Sequence, residues 1–185
     1  MIHVDLPKSI TLAQDPQRDR DLDGVCQVIE NAGHAGLRGL NYNFCILDHQ
    51  RTPSMPGRGG SSYSTFNLDE FDNQTLSEAG EVSRDEAFDR IGYWLERVIP
   101  VAEENGIQMA CHLDDPPAPM LRGVERWNWP VFEGLKRFIG LNDSPSHGFN
   151  FCCGVASEGL DNPGEELYEI VRYFAERRKI FNVHF

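Results

Sequence analysis

The stretch from Ser83 to His112 writes out one complete helix–strand unit, and it constrains the fold more than any other part of the chain. Ser83 followed three residues later by Glu86 is a capping-box signature, in which each side chain takes a free backbone N–H at a helix start. Phe88, Ile91, Leu95, Val98, Ile99 and Ala102 then recur at helical spacing and form one apolar stripe. Asn105–Gly106 stops the helix, and Ile107–His112 follows as a short apolar strand.

The same pattern recurs along the chain. Leu22, Val25, Cys26, Ile29 and Ala32 predict a helix over about 18–32, ended by Gly33 and Gly36, before a buried strand over Gly39–Leu47. A helix over Pro130–Ile139 leads to a strand at Phe149–Cys152. Pro163 opens a further helix, whose end is loaded with Arg177, Arg178 and Lys179 ahead of a last strand, Ile180–His184. Helices alternating with short apolar strands predict a parallel sheet covered by helices. Two closures fit: an open doubly wound sheet or an α/β barrel. No GxGxxG or GxxxxGK[ST] follows any strand, which removes the main sequence support for a nucleotide-binding open sheet. A barrel uses eight strands in about 250 residues, and this chain offers four clear ones with a fifth near its start. His184–Phe185 falls inside an apolar strand, so the expectation is part of a (β/α)8 barrel, truncated, forming one domain over 1–185.

Between Asp48 and Asn67 lies a loop of prolines, glycines and serines that also carries Arg51, Arg58, Tyr63 and Ser64. A loop of that length is either functional or a flexible surface excursion. The formal net charge of −12, from 17 basic and 29 acidic residues, argues against a nucleic-acid partner, because a phosphate backbone wants clustered Lys and Arg. No apolar run is long enough to cross a bilayer and the start lacks a secretory pattern, so a cytoplasmic location with no membrane partner is expected. The cysteines Cys26, Cys45, Cys111, Cys152 and Cys153 are odd in number with no CxxC pair, which fits reduced thiols.

Three strand ends finish on a potential metal ligand: His112, then Cys152 or Cys153, then His184. In an α/β barrel the carboxyl ends of the strands share one mouth, so ligands distant in sequence meet there. Two imidazoles and a thiolate suit Zn, Fe or Mn, and an added carboxylate would favour Fe or Mn. Each residue also has a plainer reading: a hydrogen-bonded histidine, a small buried hydrophobe, or, for Asp114 and Asp115, turn formers before Pro116–Pro117.

The segment CHLDDPP (111–117) resembles the H-x-DDPP signature of the mannonate dehydratases, metal-dependent lyases on a TIM barrel. Further similar segments follow in consistent order: RDRDLDGVCQVIENAGHAGL, NYNFCIL, RTPSMPGRGGSSYSTF, RIGYWLERVIPVAEENGI, SPSHGFNFCCGVASE and RKIFNVHF. The resemblance implies dehydration of D-mannonate to 2-dehydro-3-deoxy-D-gluconate in glucuronate catabolism, with Mn2+ or Fe2+ as cofactor and the sugar acid as small-molecule partner. By matching motifs it implies His112, Cys152 and His184 as metal ligands, Cys152 being preferred over Cys153. Asp114 and Asp115 would support the site or meet substrate hydroxyls, and Asn43 and Arg51 would contact substrate.

In the family the carboxylate ligand and the proton-transfer groups lie further along than Phe185, and the first barrel strands precede the match. The resemblance therefore implies weak metal binding and little activity for these 185 residues alone, and it allows a homo-oligomer for the full-length protein. Two other readings stay open: a sugar isomerase or epimerase on the same kind of barrel, and a non-catalytic remnant that binds metal or a sugar acid.

Overall fold

The computed structural model describes residues 1–185. In chain order its elements are β1 (Ile2–His3), α1 (Lys8–Thr11), α2 (Gln17–His34), β2 (Gly39–Asn43), β3 (Thr52–Pro56), β4 (Ser62–Thr65), α3 (Arg84–Glu104), β5 (Gln108–His112), β6 (Met120–Leu121), β7 (Val124–Glu125), α4 (Val131–Gly140), β8 (His147–Cys152), α5 (Cys153–Glu158), α6 (Pro163–Glu176) and β9 (Ile180–His184). The capping box forms as the sequence predicts, and the stripe of α3 is buried.

Strands β1, β2, β5, β8 and β9 make one parallel sheet and pair side by side in that order. A doubly wound sheet needs a point where the strand order turns back, and this order never does. Right-handed crossovers that all run the same way put every connecting helix on one face. The result is a curled, incompletely closed TIM-barrel-like sheet flanked by helices, which decides between the two closures.

Side-chain alternation gives the two faces opposite characters. Tyr42 lies 5.3 Å, ring to ring, from Trp94 of α3, while Phe149 lies 5.3 Å from Phe138 of α4 and 5.1 Å from Phe174 of α6. These apolar side chains face the helices. The residues between them, Asn43, His112, Asn150 and Asn182, stand in one register row on the concave face, with Cys152 opposite His184 one step further on. The helix side is a packed core and the concave side is polar.

A buried strut ties two strand ends together. Asn128 Nδ2 donates to the Asp114 carbonyl at 2.7 Å, and Trp127 Nε1 donates to the Phe44 carbonyl at 3.1 Å. Arg126 Nη2 lies 2.7 Å from Asp114 Oδ1, and both side chains are shut away from solvent. That contact is off the line of the N–H bonds, so its attraction is chiefly Coulombic, and Arg126 Nε and Nη1 have no protein partner. Burial pushes the Asp114 carboxyl up, with the Arg126 charge opposing it.

Four features depart from the sequence reading. Strand β2 stops at Asn43, not Leu47; Phe44, Ile46 and Leu47 are apolar because they pack into the core as a loop, its carbonyl at Phe44 held by Trp127. The stretch 48–67 is not irregular throughout but folds as the antiparallel β3–β4 hairpin. Gly33 lies inside α2, where a Cβ would meet Asn105 at 2.8 Å, and the chain turns away only at Gly36 with φ +79°. Lys179 does not serve its own helix; its Nζ donates to the carbonyls of Ser144 at 2.8 Å and His147 at 3.2 Å.

Replacing Asp114 by Asn should cost about 3–5 kcal/mol, because it leaves the buried Arg126 charge uncompensated. In urea melts the pair Asp114→Asn/Arg126→Met should recover part of that loss; additive losses would contradict the strut. A second expectation concerns His147, which is fully buried with Nε2 3.0 Å from the Phe138 carbonyl. Burial brings its pKa down from 6.5 to about 4. Above pH 6.5 the ring is neutral folded or unfolded, but as the pH falls toward 4 only the unfolded chain takes up the proton. Stability should therefore drop by about 3 kcal/mol over that interval, with a shallower fall in His147→Asn, and parallel pH slopes in the two proteins would contradict it.

Candidate metal centre

His112 closes β5, Cys152 closes β8 and His184 closes β9, and their ligand atoms lie within 4.8 Å of one another. Strands two apart in a flat sheet are separated by roughly 9.5 Å. Here the rings of His112 and His184 reach across β8 to an Nε2–Nδ1 distance of 3.0 Å, edge to face at 5.1 Å. The concave curl of the sheet makes that approach.

The local chain fixes what each group presents. His112 Nδ1 lies 2.6 Å from the Leu113 carbonyl and can only donate to it, so the neutral ring turns an unprotonated Nε2 toward His184. Burial lowers the His112 pKa and holds the ring in that neutral, ligating form, against the pull of the Leu113 carbonyl. At Cys152 the chain passes directly from strand to helix. Its Sγ caps α5, accepting from the Val155 N–H at 3.4 Å. Burial pushes the thiol up, while the N–H groups of Val155 and Gly154 oppose that shift. Cys153, the first residue of α5, stands outside the cluster.

This donor set fits a first-row divalent ion. Two imidazoles and a thiol whose ligand atoms lie within 4.8 Å of one another can converge on one ion once His184 Nδ1, 3.0 Å from His112 Nε2, gives up its proton. His112 and Cys152 are largely enclosed and His184 is exposed.

The other residues singled out in the sequence take different places. Asn43 stands beside His112 on the concave face. Asp115 is held by Arg51, with Nη1–Oδ1 3.2 Å and Nη2–Oδ2 2.6 Å. Asp114 points away into the strut with Arg126. Sequence reasoning missed Arg126, Asn128 and Glu158, for which no local pattern speaks. It also missed Asn150 and Asn182, although each sits two residues before a member of the cluster in the strings Asn150–Phe151–Cys152 and Asn182–Val183–His184. Period-two spacing puts each asparagine on the same face as its cluster residue, and Asn182 Nδ2 donates to Asn150 Oδ1 at 2.8 Å.

No helix is long and apolar enough to cross a membrane. The sequence model of the D-mannonate dehydratase (UxuA) family matches residues 65–185, which contain all three cluster residues. Mannonate dehydratases of Shouchella clausii and Geobacillus thermodenitrificans are 29% and 28% identical over 95% and 98% of the chain, which spans 58% of the length of each. The crystal structure of mannonate dehydratase from Streptococcus suis serotype 2 superposes with a TM-score of 0.82 over the whole chain and 53% of its own, at 24% identity, a likeness of fold. Since the family match takes in well over half of the residues, the chain belongs to the D-mannonate dehydratase (UxuA) family.

Proposed function

We propose that the chain carries the metal-ligand portion of a hydro-lyase that converts D-mannonate to 2-dehydro-3-deoxy-D-gluconate, with His112, Cys152 and His184 holding Mn2+ or Fe2+. One observation carries the reading: two imidazoles and a thiol from three strand ends meet within 4.8 Å in a chain of this family.

The chain's own residues have separable tasks. The Leu113 carbonyl fixes the tautomer of His112, and the N–H groups at the start of α5 stabilise negative charge on the Cys152 sulfur. Asn43, Asn150 and Asn182 offer amide donors and acceptors to a hydroxylated ligand lying along the concave face. The strut of Arg126, Trp127 and Asn128 holds the ends of β2 and β5 at a fixed spacing. The bound divalent ion would supply positive charge where negative charge develops as the carbon beside the carboxylate loses its proton. The 185 residues provide three of the donors such a site uses and leave the sheet open, so on their own they should bind metal weakly and turn over little substrate.

The test is incubation of the complete protein carrying this sequence with D-mannonate and Mn2+. A 2-keto-3-deoxy acid should form, cease on chelation and return with added metal. Cys152→Ser should weaken metal binding by more than the roughly 10–100-fold typical of losing an outer-shell partner. A ketose or an epimer in place of the keto-deoxy acid would assign the barrel to isomerase chemistry. Full turnover by Cys152→Ser would remove the thiolate from the site.

A further inference from the structure

A cavity of about 400 Å3 lies between the β3–β4 hairpin and the end of α5, lined by Arg51, Ser64, Asp115 and Glu158 among others. Its size falls in the range of small-molecule sites. Two connections place it beside the metal centre. Asp115 follows His112 by three residues, and Glu158 ends the short helix that begins directly after Cys152. The charge of Asp115 is felt at His112, at Cys152 and at Glu158, so these groups share one neighbourhood.

The chemistry of the lining is specific. Arg51 has no free fork for a ligand's carboxylate: Nε donates to Ser64 Oγ at 3.1 Å, Nη1 to the Gln50 carbonyl at 2.8 Å and to Asp115 Oδ1, and Nη2 to Asp115 Oδ2. The cavity thus holds one cation against two carboxylates, a poor setting for another anion. Glu158 accepts no hydrogen bond from the protein; its pKa is raised by partial burial and then by Asp115. Carboxylates positioned beside bound donors, with Ser64 Oγ among them, are suited to hydroxyl groups.

We infer that this cavity reads the hydroxyl-bearing tail of the sugar acid, with Glu158 and Asp115 accepting from its hydroxyls and Arg51 acting as a positioning residue that holds Asp115. The acid end of the ligand then lies at the metal centre, on the concave face. This rests on the sugar-acid reading above and adds to it an orientation and a specificity residue, Glu158. It also gives Arg51 a different task from gripping substrate itself.

The experiment is calorimetric binding of D-mannonate, and of glycerate, a short hydroxy acid that lacks the tail, to the complete protein carrying this sequence, loaded with Mn2+. Glu158→Ala should weaken mannonate about ten-fold, the size of one hydrogen bond to a charged group. Glycerate and Mn2+ affinities should be unchanged, and Glu158→Gln should recover part of the loss through its amide oxygen. Equal weakening of both acids would show that the acid end is read here, and unchanged mannonate binding would show that the tail is not; either overturns the orientation alone. If the unaltered protein binds neither acid, the sugar-acid reading fails and this inference with it.

Discussion

Parallel pairing in one unbroken direction is the constraint on which the rest of the structure depends. Because β5, β8 and β9 run side by side with no reversal, their carboxyl ends lie on one rim, and residues 40 and 32 positions apart in sequence become neighbours. Register then does the finer work. Cys152 pairs with His184, while His112 sits one step back opposite Asn150, and the curl of the sheet closes the remaining distance between the rings. A register slip of one residue in β9 would turn His184 to the helix side and break up the cluster.

The rim is held by polar groups placed where the chain can least easily shed them. Arg126 and Asp114 are buried as a pair, with Trp127 and Asn128 pinning the loops after β2 and β5. Helix α4 presses on this strut so closely that a Cβ at Gly134 would meet the Trp127 carbonyl at 2.5 Å. Such a pair contributes little net stability compared with an apolar replacement; what it fixes is the spacing of two strand ends beside His112. Arg51 does a similar task in a more open setting, bracing the neighbouring Asp115.

Much of this was legible in the sequence, and the reasons differ from residue to residue. Helix α3 announces itself because its cap, stripe and stop are all local signals, and the strand ends at His112, Cys152 and His184 could be read because apolar runs finish on them. The end of β2 could not be read, since Phe44, Ile46 and Leu47 are buried in a loop and burial, not pairing, sets their composition. The hairpin at 52–65 was hidden by prolines and glycines that usually mark irregular chain. Arg126 and Glu158 were invisible because their importance comes from partners 12 and 43 residues away, Asp114 and Asp115.

The central claim is that Cys152, and not its neighbour, joins His112 and His184 around one divalent ion. Titration with Co2+ followed by absorption spectroscopy tests it most directly, because a thiolate ligand gives an intense sulfur-to-metal band in the near ultraviolet. In the complete protein carrying this sequence that band should be full at one equivalent of metal, kept in Cys153→Ser and lost in Cys152→Ser. Loss of the band in Cys153→Ser with retention in Cys152→Ser, or no thiolate band in the unaltered protein, would contradict it.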